Sequence, residues 1–110
     1  MNAPDQDACE LLHRLGHLHL KGGNPQRALV LLLLASKMFP EHPGLLHTLI
    51  DAFIATGQTQ RALNAIDALA RTQIAPAHLE LLRSKALWAD GDITSARGHF
   101  NRYLDQRGES

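Results

Sequence analysis

G-N-P-Q-R-A-L at 23–29, G-Q-T-Q-R-A-L at 57–63 and G-D-I-T-S-A-R at 91–97 are one short phrase, repeated at a step of 34 residues. Its fixed points are Gly23, Gly57 and Gly91, followed by Ala28, Ala62 and Ala96. A glycine in this place closes a helix by taking the left-handed conformation, and a residue such as Asn24 or Asp92 then caps the next helix. Pro25 suits a first helical turn, whereas Gln58 is a weaker cap and leaves the middle joint less sharply written. The alanine is small because two helices approach closely there. Each phrase therefore reads as the joint of a helical hairpin, and a fixed 34-residue period reads as a tandem array of such hairpins.

Outward from the joints, apolar residues recur with helical period. Leu12, Leu15, Gly16 and His19, then Leu46, Leu49, Ile50 and Phe53, form the inner stripes of the first helices of units one and two. Ala28, Leu32 and Ala35, then Ala62, Ile66 and Leu69, then Ala96, Phe100 and Tyr103, answer them from the second helices. Pro40 and Pro43 bracket the first turn between units, and Pro76 opens the fifth helix. The spacing predicts helices near 6–21, 25–38, 43–56, 59–71, 76–90 and 93–107, as hairpins over about 6–38, 43–71 and 76–107 of a single 1–110 domain. No segment alternates as a strand would.

Composition limits the function. Eleven basic and eleven acidic side chains cancel, so no field draws a polyanion, and nucleic acid is not expected as a ligand. The apolar run from Leu29 to Ala35 is far short of the about 20 residues that a membrane helix needs, and the first residues are polar and acidic. Neither a membrane insertion nor a signal peptide is expected. Cys9 is the only cysteine, which supports no disulfide framework and fits a reducing, cytoplasmic setting. There is no phosphate-binding glycine loop and no nucleophile elbow. Cys9 and His13, one turn apart on an N-terminal helix expected to be exposed, lack a group to orient the base, so no enzyme is expected.

The first unit resembles a tetratricopeptide repeat. Leu12, Leu15, Gly16, His19, Ala28, Leu32, Ala35 and Pro40 occupy that family's signature places for large, small and proline residues. The second unit matches well. The third departs, with Glu80, Arg83 and Ser84 at places usually apolar or small, so its first helix is expected to be rotated or packed differently. The resemblance implies an all-α fold in which three tandem helical hairpins form a right-handed superhelical array. The last helix, with one apolar stripe and Arg97, Asn101, Arg102 and Asp105 elsewhere, is expected to cap the array without a fourth repeat.

Within that superfamily the chain is similar to the small type III secretion chaperones, and most to the SctY (YscY) kind. The residues concerned are L-x-x-L-G-x-L-x-L-x-x-G at 12–23, F-P-E-H at 39–42 and G-D-I-x-x-A-R-x-x-F-x-x-Y-L at 91–104. The resemblance implies a bacterial cytoplasmic chaperone that holds an early export substrate of the SctX kind as a heterodimer and helps bring it to the export gate protein SctV. Chaperones of needle subunits or translocators, and a generic adaptor, share the architecture and remain alternatives. Co-chaperones that clamp a terminal carboxylate need lysine and asparagine where this chain has His13, His17 and Leu82, which disfavours that reading.

In such arrays the first helices line the concave side. The 34-residue register then gives three groove rows: Leu20, Ile54 and Trp88; His13, His47 and Leu81; His17, Asp51 and Lys85. The apolar row suits the apolar side of a partner helix or extended segment. The pairs His13/His17 and His47/Asp51 have the spacing of zinc ligands. A hydrogen-bonding wall without metal or cofactor is the adopted reading, with those four residues as the metal alternative. His42, His78 and His99 read as surface or turn residues. On the back of the second helix, Val30 and Leu34 fall on a side otherwise polar, where the later units hold Asn64 and Ala68, then Gly98 and Arg102, marking a possible second contact surface.

Overall fold

A computed structural model describes residues 3–40, 42–72 and 75–108. It is all-helical among those residues: α1 (Ala3–Lys21), α2 (Pro25–Met38), α3 (Pro43–Ala55), α4 (Thr59–Ala70), α5 (Pro76–Ala89) and α6 (Ile93–Gln106). Glu41, inside the 39–42 segment used above, lies outside the described residues.

The joints take the form that their glycines dictate. Gly23, Gly57 and Gly91 have φ of 82°, 74° and 87°. The next residue's N–H reaches back to the helix that has just ended: Asn24 to His19 O at 2.8 Å, Gln58 to Phe53 O at 2.8 Å, Asp92 to Leu87 O at 3.0 Å. These bonds satisfy carbonyls that a helix end otherwise strands, and the left-handed glycine makes them possible. Asp92 caps α6 as expected, accepting from Ser95 N at 3.2 Å. The Asn24 side chain makes no capping bond. There the reversal is completed by backbone, with Pro25 at the start of α2 and Ala28 N donating to Asn24 O at 3.0 Å. α3 is capped instead by His42, whose Nδ1 accepts from Leu45 N at 3.1 Å.

Helices pair as hairpins, and the hairpins stack chiefly where α2 meets α3 and α4 meets α5, with α1, α3 and α5 also touching in turn while α2, α4 and α6 do not touch each other. First helices side by side with second helices splayed behind them give a sheet of helices that is concave on the first-helix side. The core runs along the seam, with Leu32, Leu45, Ile50, Ile66, Leu69 and Leu82 fully buried. Burial of each such side chain contributes about 1.5–3 kcal/mol. Gly16 lets the first hairpin close: a Cβ there would lie 2.7 Å from Leu32 Cγ.

The third hairpin closes by different chemistry, as its polar substitutions foretell. Ser84, at the place of Gly16, is buried and donates to Ala96 O at 2.9 Å. Glu80, at the place of Leu12 and Leu46, is mostly buried and gathers His99 Nδ1 at 2.6 Å and Arg83 at 3.3 Å, with Arg102 at 3.9 Å. Arg83 also reaches back to Asp67 of the preceding hairpin at 3.4 Å. His99 is thus a buttress of the hairpin rather than a surface residue.

Two expectations about the ends of the array are corrected. The helical period puts Leu15 and Phe100 on inner stripes, and both are exposed. Leu49 and Ile66, the equivalents in the middle unit, are buried between neighbouring hairpins, a covering that the outer places lack. The last helix accordingly does not seal the array with a polar surface; Phe100 opens into an apolar groove.

Candidate partner-binding face

The three rows occupy α1, α3 and α5, the contiguous inner layer. They do not contribute equally. Leu20 and Ile54 are half-buried and pack on the core, while Trp88, one step further in the same row, is 65% exposed. Trp88 joins Leu81, Lys85, Ala96, Arg97 and Phe100 around a groove of about 460 Å³ between α5 and α6. An exposed indole over an apolar floor with two cations at its edge is the arrangement that interface hot spots favour. Val30 and Leu34 are exposed on α2, away from this face.

The histidine rows form a hydrogen-bonded ladder across the inner layer. His13 Nε2 lies 2.9 Å from Thr48 Oγ1, linking α1 to α3. The Thr48 hydroxyl already donates to Gly44 O at 3.1 Å, so Nε2 of the neutral His13 ring is the donor. One step on, His47 Nε2 meets His78 Nε2 at 3.1 Å with the rings stacked at 18°, linking α3 to α5. Such a pair holds when one nitrogen carries a proton and the other does not. Asp51 stands 3.8 Å from the other nitrogen of His47. His17 and Lys85 remain exposed on the same side.

This geometry perturbs two rings. Burial, with His42 and His17 nearby, pushes the His13 pKa below the ordinary imidazole value; burial, with His47 and Lys85 nearby, does the same for His78. His13 and His78 are therefore held neutral where histidine ordinarily begins to charge. His78 belongs to the ladder, contrary to its reading as a surface residue. Thr48 and His78 were missed because neither repeats in the register: the equivalent places hold Arg14 and Leu82, and Glu10 and Gly44. The four metal candidates do not converge. His13 is engaged with Thr48 and His47 with His78, and no group of three metal-binding side chains comes together among the described residues.

Cys9 is buried, not exposed, with its Sγ 3.8 Å from Ala35 O, and burial raises its thiol pKa, as does Glu10 beside it. A thiol held protonated is a poor nucleophile. Among the described residues no helix is long and apolar enough to cross a membrane.

A model of the tetratricopeptide repeat matches residues 19–86, more than half of the chain and across both stacking seams. The chain belongs to the tetratricopeptide repeat family. No curated protein matches it. Tetratricopeptide proteins are typically non-enzymatic modules of protein–protein interaction. The matched residues include two of the three joint glycines, Gly23 and Gly57.

Proposed function

We propose that the chain is a non-enzymatic chaperone that grips a protein partner in the groove of its first helices, through His13, His17, Leu20, His47, Asp51, Ile54, Leu81, Lys85 and Trp88. The observation that carries this reading is Trp88: a large apolar ring stands in solvent on the inner layer, where burial by a partner is its most favourable outcome. The rings of His13 and His78, whose pKa values are lowered by burial, offer hydrogen-bonding groups to a polar partner segment beside the charges of Asp51 and Lys85.

By its likeness to the SctY kind at 12–23, 39–42 and 91–104, the partner is an early type III secretion substrate of the SctX kind, held as a heterodimer in the bacterial cytoplasm and brought to SctV. Needle-subunit or translocator chaperoning is the second reading, and the same likeness to small secretion chaperones supports it. Val30 and Leu34, both exposed, form a second contact, covered by a partner segment that wraps round from the groove or by a second copy of this chain.

Copurification of the tagged chain from its native cell identifies the partner, and calorimetric titration then tests the surfaces. Trp88→Ala should weaken binding by at least about 2 kcal/mol. Val30→Asn with Leu34→Lys should weaken it further through the back contact. Unchanged affinity for Trp88→Ala, with the fold intact by circular dichroism, contradicts the groove assignment; unchanged affinity for the double variant removes the back contact alone.

A further inference from the structure

Both ends of the array are apolar, and together they are the two halves of a joint that the molecule already makes twice. Where α3 seats on the first hairpin it brings Leu45 and Ala52, and where α5 seats on the second it brings Leu79 and Ala86; all four are buried. The same two places on α1 are Leu11 and Leu18, and they stand 58% and 64% exposed. The receiving side mirrors this. Leu32 and Ile66 are fully buried in the first two hairpins, while Phe100, in their register, is 41% exposed and lines the groove with Leu81 and Trp88.

We propose that the occupant of the α5–α6 groove is α1 of a second copy of this chain, docked head to tail so that the 34-residue step continues from one molecule into the next. The seat accepts a first helix because two equivalent seats in the same chain hold one. Leu11 and Leu18 supply the apolar side that Leu79 and Ala86 supply in α5. Charge agrees with the docking. At the second joint His78 meets His47, which faces Asp51. The corresponding three places at the new joint are Glu10 of the incoming helix, Leu81 and Lys85, so a carboxylate arrives beside an ammonium. Arg14 stands at the place of Thr48 and Leu82, both buried; its guanidinium is turned to solvent, 3.9 Å from Glu10. That misfit makes the new joint weaker than the two internal ones.

Because the two surfaces differ, the contact is heterologous and does not end at a pair: copies add in a row unless the rotation closes a ring. Leu81, Lys85 and Trp88 line this groove, so a second copy and the protein partner compete for it, and the assembly is tested on the chain free of partner.

Sedimentation velocity on the 110-residue chain, from micromolar to near-millimolar concentration, tests this with two blocked variants. Leu11→Glu with Leu18→Glu blocks the head at exposed positions, and Phe100→Glu blocks the tail. The parent should grow past a dimer as concentration rises. Each blocked variant alone should stay monomeric, and an equimolar mixture of the two should form a dimer and stop there. If Phe100→Glu loses helical signal, Lys85→Glu replaces it as the tail variant: it should weaken the joint several-fold, and Glu10→Lys in the other copy should restore it. A parent that stays monomeric throughout, a parent that stops at a dimer, a head-blocked variant that dimerises by itself or a mixture that never pairs would each overturn the proposal, the first leaving both ends to partners of other sequence.

Discussion

Gly16 and Gly98 both sit inside helices, and the space around them sets them apart. Alanine in place of glycine gains about 0.5–1 kcal/mol of helix propensity in a helix interior. At Gly98 nothing lies within 4 Å of an added Cβ, so Gly98→Ala should stabilise the protein by roughly that amount. At Gly16 the added atom would lie 2.7 Å from two carbons of Leu32, which is fully buried. Overpacking of this kind costs about 1–3 kcal/mol, so Gly16→Ala should be net destabilising. Urea unfolding of the two variants should shift the midpoint in opposite directions. The role of Gly16 as a small contact residue was legible from its place in the repeat. That of Glu80 was not: the sequence shows a carboxylate where an apolar residue is usual, and only folding brings His99 and Arg102 from α6 to meet it. No periodic signal marks a polar cluster that occurs in one unit alone.

At the scale of the element, the first helices do two jobs at once: one side seats on the preceding hairpin, and the adjoining side forms the ladder of His13, Thr48, His47 and His78. This makes the stacking of hairpins sensitive to pH. His13 and His78 have folded pKa values below their ordinary one, so as pH falls the unfolded chain takes up protons before the folded one does. Their contribution to stability is therefore complete above about pH 6.5 and is lost as pH drops from there through the lowered folded values. Thermal melts should show a lower midpoint at about pH 5.5 than at about pH 7.5, and His13→Gln with His78→Gln should flatten that dependence. Unaltered pH dependence in the double variant would place the sensitivity elsewhere. The helices and joints were readable because glycine, proline and a period of 34 are local signals. The ladder was readable only in part: the register aligned His13 with His47, but their partners Thr48 and His78 sit one residue beyond and three before the repeat place and became visible only once α1, α3 and α5 lay side by side.

For the whole molecule, the splay of α2, α4 and α6 behind a contiguous layer of α1, α3 and α5 leaves one hollow side, and the tetratricopeptide fold makes that side the expected place for a partner. The apolar row across it was legible from the register, yet its three members differ in burial for a reason that no sequence pattern carries. Leu20 and Ile54 are partly covered by the hairpins stacked on theirs, and Trp88 is not. Trp88 is also the single tryptophan of the chain, so a probe there reports one site. Fluorine NMR of the chain labelled with fluorotryptophan, kept dilute enough to be monomeric, therefore tests the central claim most directly. Saturation with the copurified partner should move the one resonance and shield it from a soluble paramagnetic quencher; a resonance that keeps its position and its full quenching at saturation would contradict the account.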